Sequence, residues 1–348
     1  MRILYASRWW SEHDRRFVAA WRGQGVEVIA LAVDCTSPDD AAYPGAEFAE
    51  RLSAAIEGFS PDVVHAGPLT DVARTVRDVW QGPLIAMSWG FDLMDEVDNS
   101  GEALEAARYV IQSADLLVVD NNAPRDRALE LGATAEQIVQ FPWGVDLSFW
   151  APGDSPVREQ LGWGDDAFLV LCTRSHEAMY GVEVLAEAFT LAAAVEPRLH
   201  LVLVGSGSET ENLAALVAPV SERVAFLGRL DQKALRDAHR AADLYVSSSF
   251  VDGTSISLLE AMACGTPACV SAIPGNAEWI DESTGLSFAS GDASALADLL
   301  VSAASDPTRL ATLAEAATRR VHDRADWDVT AARLPDIARR ALGTLEAS

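Results

Sequence analysis

The sequence predicts an α/β protein with two doubly wound parallel sheets, and three observations support this. Short apolar, β-branched-rich runs at residues 2–7, 26–33, 62–66, 84–88, 115–119 and 138–141 are separated by helix-length segments, the alternation of strands joined by crossover helices. A second such series follows at Phe168–Cys172, Leu199–Val204, Arg223–Phe226, Asp243–Val246 and Pro267–Ser271. Between the series, Ala151-Pro152-Gly153-Asp154-Ser155-Pro156 reads as a linker, and 348 residues suit about two domains. The expected division is 1–150, 151–325 and a terminal helix over 326–348. No convincing sequence repeat relates the halves.

Hydrophobic content of 49% fills two cores, and no run of eighteen apolar residues suggests a membrane span. Met1-Arg2-Ile3-Leu4-Tyr5-Ala6 reads as a first strand, too short and too soon interrupted by Arg8 for a secretion signal, so a cytoplasmic location is expected. The four cysteines, Cys35, Cys172, Cys264 and Cys269, show neither metal spacing nor a disulfide-dense pattern and read as reduced and structural. A net charge of −26 argues against nonspecific nucleic-acid binding and against docking on an anionic bilayer. Solubility or salt adaptation accounts for the acidity equally well.

Ligands of doubly wound sheets bind beyond the carboxyl ends of the strands, so the loops after each run matter more than the strands. In the first half these are Ser7–Asp14, with Trp9, Trp10 and His13, and Ser88–Asp92. His65 closes its strand and reads as a satisfied structural histidine. In the second half they are Thr173-Arg174-Ser175-His176-Glu177-Ala178-Met179-Tyr180-Gly181 and Val204-Gly205-Ser206-Gly207. The latter superficially suggests a dinucleotide fingerprint, but its third glycine is absent. Residues 293–321 read as helices, and Trp327 onward as a last amphipathic helix.

The most informative stretch is Ser247–Glu278. After Asp252-Gly253 it enters a short helix, Ser255–Cys264, with Thr254 or Ser255 as N-cap and Gly265 and Pro267 as its stop. The helix is apolar or small nearly all round yet carries Glu260, whose helical neighbours Ile256, Ser257, Ala263 and Cys264 include no cation. A buried carboxylate needs donors, which sugar or ribose hydroxyls would supply. The amides of Gly253, Thr254, Ser255, Ile256 and Ser257 lie at the helix N-terminus, where unpaired donors and the helix dipole favour an anion such as a phosphate. The alternative is a core helix whose one acid meets a structural donor from another segment.

These residues resemble the signature of the family-4 retaining glycosyltransferases, which have two facing Rossmann-like domains (the GT-B fold) and bind a nucleotide-diphosphate sugar. That signature has two glutamates separated by seven residues and an Ala-Met-Ala-x-Gly-x-Pro run. Here Glu260, the run Leu258–Pro267, Gly275 and Glu278 match, whereas Asp252 replaces the first glutamate. Phe141-Pro142-Trp143-Gly144-Val145-Asp146 resembles the family's Pro-x-Gly-Val-Asp turn. Arg174 matches the family's diphosphate-gripping arginine, but Tyr180 replaces its lysine, leaving the charge to His176 or the helix dipole.

The resemblance implies a nucleotide-sugar-binding C-terminal domain and an acceptor-side N-terminal one, with the final helix crossing back to the first domain. Gly205 and Gly207 would border the diphosphate, and the segment around Gly228 would hold the base. Family members often have a histidine in the loop after the fourth strand; here Asp92 is the available polar group, set either to orient an acceptor hydroxyl or to cap the following helix. Trp9, Trp10 and His13 stand on the acceptor side, where aromatic faces either meet sugar rings or pack the domain edge.

The activity so implied is transfer of a hexose-type sugar from a nucleotide diphosphate to an acceptor hydroxyl with retention. Arg174 and the Gly253–Ser257 amides would stabilise the leaving diphosphate, Glu260 hold the ribose and Asp252 contact the donor sugar. No cofactor or metal is expected, because the helix dipole and an arginine take the role of a divalent ion. The expected partners are small molecules, the nucleotide sugar and a hydroxyl acceptor. Rival readings are an epimerase or phosphorylase on the same fold and a catalytically silent binding subunit, the last suggested by Tyr180, Asp252 and the missing histidine.

Overall fold

The computed structural model describes residues 1–33, 47–164 and 166–343; Cys35 lies outside them. The chain forms two compact units, one holding Met1–Pro142 with the segment from Asp328 onward, the other Trp143–Trp327.

In the first unit the strands are β1 Arg2–Ser7, β2 Glu27–Ala32, β3 Val63–Gly67, β4 Leu84–Met87, β5 Leu116–Val119 and β6 Ile138–Gln140. They form one parallel sheet in the order β2-β1-β3-β4-β5-β6. Parallel strands buried on both faces read as unbroken apolar runs, as Val63-Val64 and Leu116–Val119 do. The first helix, Glu12–Gly23, starts from a capping box in which Ser11 and Asp14 satisfy each other's amides. The terminal segment belongs to this unit: Thr330 Oγ1 donates to the Pro142 carbonyl at 3.3 Å, and Arg340 to that of Glu136 at 3.0 Å. The last expected helix is two, Trp327–Ala331 and Leu334–Ala341. Pro335 lacks the N–H that would continue the first of them.

The second unit holds β7 Phe168–Cys172, β8 Leu199–Val204, β9 Val224–Gly228, β10 Leu244–Ser247, β11 Ala268–Ser271 and β12 Leu286–Phe288. They form a second parallel sheet in the order β12-β11-β10-β7-β8-β9. The sequence reading missed β12, whose three residues are too short for period-two alternation to register. Side chains alternate across the sheet. Phe168, Val170 and Cys172 face a core shared with the helices Val182–Ala193 and Ala293–Ser305, whereas Leu169 and Leu171 face a separate one. Each fully buried side chain of this size contributes about 1.5–3 kcal/mol. Asp292 caps one helix and Asp306-Pro307 opens the next, so the apolar stretch after residue 293 breaks in two.

This topology places the site. From β7 the chain winds outward through β8 and β9, then returns to β10 on the other flank of β7 and proceeds to β11 and β12. The loops after β7 and β10 therefore part in opposite directions, which opens a crevice at their carboxyl ends. The first sheet has the corresponding point between β1 and β3. Among the described residues no helix is long and apolar enough to cross a membrane.

Candidate active site

Arg174 comes from the loop after β7; Asp252, Gly253, Thr254 and Ser255 come from the loop after β10 and lead into the helix Ile256–Ala263. The crevice brings them together. Arg174 Nη1 donates to Ser255 Oγ at 2.9 Å and Ser257 Oγ at 3.2 Å, and Nη2 lies 2.8 Å from the Asp252 carboxylate. The guanidinium carbon sits 4.0 Å from the centre of the Tyr180 ring. The Tyr245 hydroxyl is 2.8 Å from Ser257 Oγ and completes the cage. Burial opposes the charge of Arg174 most strongly, but Asp252 together with Tyr180, Tyr245 and Cys172 more than offsets it, and the arginine's pKa is raised. Burial lifts the Asp252 carboxyl above its ordinary range, with Arg174, Ser255 and the Gly253 amide pulling it back.

Ser255 is the N-cap residue, but its hydroxyl serves Arg174 rather than the helix amides. The first amides of any helix have no partner within it, so this N-terminus presents donors beside a guanidinium. The segment is held from below by Gly275: a Cβ there would lie 2.2 Å from the Gly253 carbonyl oxygen and 2.7 Å from that of Asp252. The turn after β8 lies against the Arg174 loop, with Gly205 N donating to the Gly228 carbonyl at 2.7 Å and His176 N to that of Ser206 at 3.2 Å. Gly205 and Gly207 thus lie against the Arg174 loop, a Cβ on the first falling 3.0 Å from the Arg174 carbonyl oxygen and one on the second 2.3 Å from that of His176, while Gly228 is tied in through Gly205.

The structure bears on two further expectations. Glu260 has a basic neighbour that its own helix does not reveal: His239, fully buried on the helix Gln232–Ala241, places Nε2 3.6 Å from Glu260 Oε2. That exceeds hydrogen-bonding distance, and the Glu260 side chain stays 12% exposed, so it can still accept from another donor. His176 does not replace the family's lysine. Its ring is 2.9 Å from Thr210 Oγ1, and burial lowers its pKa, leaving it neutral near pH 7.

In the first unit the structure separates the acceptor-side candidates. Trp9 is 50% exposed, with Phe91 5.8 Å away and the Arg8 guanidinium 5.1 Å from its ring. Trp10 is buried and packs. The His13 ring lies 4.7 Å from that of Trp89 at a tilt of 53°, and burial followed by the Arg16 charge holds its pKa well below the ordinary value. His65 is buried among aromatic rings and accepts from Trp21 Nε1 at 3.3 Å on Nδ1, while its Nε2 is buried without a hydrogen-bond partner, so the expected satisfied histidine is only half satisfied. The sequence reading missed Arg8, which bonds Asp71 at 2.5 Å and Glu96 at 2.7 Å. With Thr70, Asp95 and Glu102 they line a cleft of about 380 Å³ beyond β1 and β3. The position of Arg8 in the first post-strand loop was the signal available.

Asp92 is wholly buried and accepts from Ser88 Oγ (2.7 Å) and the amides of Leu69 (2.9 Å), Trp89 (3.1 Å) and Leu93 (3.1 Å). Both oxygens therefore serve the loop and the helix start, not a ligand. Burial pushes its pKa to about 6, aided by Glu96 and opposed by those donors. Between its ordinary value near 4 and pH 6 the folded chain holds a proton that the unfolded chain has released. This contribution to stability therefore falls as pH rises through that window, by at most roughly 3 kcal/mol. Chemical denaturation at pH 4 and pH 7 should show Asp92→Asn lacking that component. An unchanged difference between the two pH values would assign the proton elsewhere.

Among the described residues no group of three or more His, Cys, Asp or Glu side chains is placed to hold a metal ion. Residues 155–320 match the family described as Glycosyl transferases group 1. A GDP-mannose-dependent monoacylated alpha-(1-6)-phosphatidylinositol monomannoside mannosyltransferase of Corynebacterium glutamicum is 27% identical over 284 residues, covering 78% of this chain and 74% of that protein. A D-inositol 3-phosphate glycosyltransferase of Kineococcus radiotolerans is 29% identical over 308 residues, covering 78% and 69%. In fold, Anabaena HepE in complex with UDP and glucose superposes with a TM-score of 0.81 at 19% identity over 99% of this chain and 100% of that one. Sucrose-phosphate synthase of Thermosynechococcus elongatus does so at 0.83 and 21%, with the same coverage. With an arginine and a helix N-terminus meeting at the β7/β10 crevice of a GT-B fold, and residues 155–320 forming a domain of the glycosyl transferases group 1 type, the chain is a glycosyltransferase that uses a nucleotide-sugar donor.

Proposed function

We propose that the second unit binds the nucleotide sugar through the Arg174 cage, and that the sugar passes to a hydroxyl of an acceptor held by the first unit. The observation that carries the donor assignment is the meeting of Arg174 with the start of the helix Ile256–Ala263 at the crevice between β7 and β10. As the bond from the anomeric carbon to the diphosphate oxygen breaks, negative charge grows on the leaving group. A preorganised guanidinium and helix amides stabilise that charge without a metal. Glu260 accepts from the ribose hydroxyls, and Asp252 faces the transferring sugar while orienting Arg174. Gly205, Gly207 and Gly228 let backbone approach the nucleotide.

Trp9 and the cleft around Arg8 are the acceptor candidates. The cleft carries Asp71, Asp95, Glu96 and Glu102 against one arginine already engaged by two of them. This balance suits a neutral polyhydroxyl acceptor better than a phosphorylated one, although one relative is named for inositol 3-phosphate.

Thermal melting with GDP, UDP, ADP and dTDP, each alone, tests the donor site. The matching diphosphate at one hundred times its dissociation constant should add about 2.7 kcal/mol. No shift with any of the four at millimolar concentration would sink the donor assignment. Initial rates with the matching sugar donor and either myo-inositol or its 3-phosphate test the acceptor site, and a faster phosphorylated acceptor would refute that part.

A further inference from the structure

We infer that Tyr180 is the positioning residue for Arg174, so that the site grips its diphosphate with one immobilised cation in place of two mobile ones. This rests on the reading of Arg174 as the diphosphate ligand. The geometry is specific. The guanidinium carbon lies 4.0 Å from the Tyr180 ring centre, at stacking distance, while Nη1 reaches Ser255 and Ser257 and Nη2 reaches Asp252. Hydroxyls and carboxylate fix the guanidinium edge; the ring fixes its face.

The ring is itself held. Tyr180 packs against the core that contains Val182, Leu185 and Phe189. Its amide donates to the Glu177 carbonyl at 2.9 Å, and Phe250 N donates to the Met179 carbonyl at 3.0 Å, tying the loop after β7 to the loop after β10. Gly181 makes this approach feasible: it has φ of 55°, and a Cβ there would lie 2.4 Å from the Ser248 carbonyl oxygen. The Tyr180-Gly181 pair is thus a matched unit, one residue supplying the face and the other the close contact that locates it.

An aromatic face has a consequence for charge. A second carboxylate would also hold the guanidinium, but it would neutralise the group needed by the phosphates. A lysine would add charge but repel Arg174. The ring attracts the cation through its quadrupole without carrying net charge, leaving the guanidinium both rigid and charged. His176 is neutral and contributes no second cation, so anchoring Arg174 carries more weight here.

A double-mutant cycle read by isothermal titration with GDP and with UDP tests this. Tyr180→Ala should weaken the diphosphate that wild type binds by about tenfold to thirtyfold, the range for a desolvated cation–π contact. Tyr180→Phe should stay within about threefold of wild type because the face is retained. In an Arg174→Ala background Tyr180→Ala should change nothing further, since its effect passes through Arg174. Tyr180→Leu keeps apolar packing without the π face. It should melt as wild type does and bind as weakly as Tyr180→Ala, which separates loss of the stack from loss of fold. Equal losses from Tyr180→Ala in both backgrounds, or Tyr180→Leu binding as wild type, would overturn the inference. Failure of wild type to bind either diphosphate would instead overturn the donor reading beneath it.

Discussion

Arg174→Ala should lower turnover at saturating donor and acceptor by about 10²- to 10³-fold, the usual consequence of removing one preorganised group that faces developing charge. The guanidinium touches Asp252, Ser255 and Ser257 from a loop that begins on another strand. Arg174→Lys should recover little. A single ammonium cannot reach two hydroxyls and a carboxylate in the fork geometry, nor stack on Tyr180 as a planar group does. Removing the arginine alone also leaves the Asp252 carboxylate buried without its partner, which is destabilising in its own right. The double variant Arg174→Ala/Asp252→Asn removes both charges, and comparing its turnover with that of Asp252→Asn alone isolates the part due to Arg174. A folded Arg174 variant with turnover within tenfold of wild type would remove Arg174 from the mechanism.

The second large effect is a split between Asp252 and Glu260. Glu260→Gln should weaken binding of the donor and the bare nucleoside diphosphate alike, because ribose hydroxyls are bonded in both. The loss expected for a hydrogen bond to a charged group is about 1.5–3 kcal/mol, roughly tenfold to 150-fold. Asp252→Asn should lower turnover by a similar factor yet leave affinity for the bare diphosphate unchanged or raised. It removes a carboxylate 2.8 Å from Arg174, so the guanidinium's charge is less compensated while the group facing the sugar is lost. Asp252→Glu, which restores the family's usual length, should lower activity or shift donor preference, because one more methylene displaces the carboxylate from Arg174. Titration with the nucleoside diphosphate alongside initial rates separates the cases. Equal loss of diphosphate affinity in Asp252→Asn and Glu260→Gln would show that the sugar and ribose ends of the site are assigned the wrong way round.

Local spacing alone identified the helix Ile256–Ala263 and the loop before it. A capping position, an apolar helix and a terminal glycine are all encoded within one turn or two of each other. The strands were legible for the same reason, except β12, which is shorter than the period that betrays a strand. Arg174 was found through its match to the resembling family's diphosphate-gripping arginine, with its place just past a strand end weighing against a surface ion pair.

Relations across the chain were another matter. Arg174 and Ser255 meet 81 positions apart, and the Leu69 amide reaches Asp92 across 23. No periodicity reports such distances. Asp92 was legible as a polar residue after a strand, but whether it faced a ligand or its own loop depended on Leu69 and Ser88 closing over it. Glu260 showed no cation among its helical neighbours, and a donor from another segment stood open as the alternative; His239 arrives from a helix packed alongside. The protonation of His13 and His176 was equally hidden, since burial is decided by what packs on top.

The sequence by itself determined the two sheets, the loops that carry the chemistry and the kind of ligand they suit, because strand alternation and helix capping act between residues a few positions apart. Only the tertiary structure decided which of those residues face one another and which are spent on the fold. Crossover connections bring distant loops to a common edge, and the resulting burial sets charge and exposure. Tyr180 shows both sides of this: in the sequence it is a missing lysine, and in the fold it is the surface on which Arg174 rests.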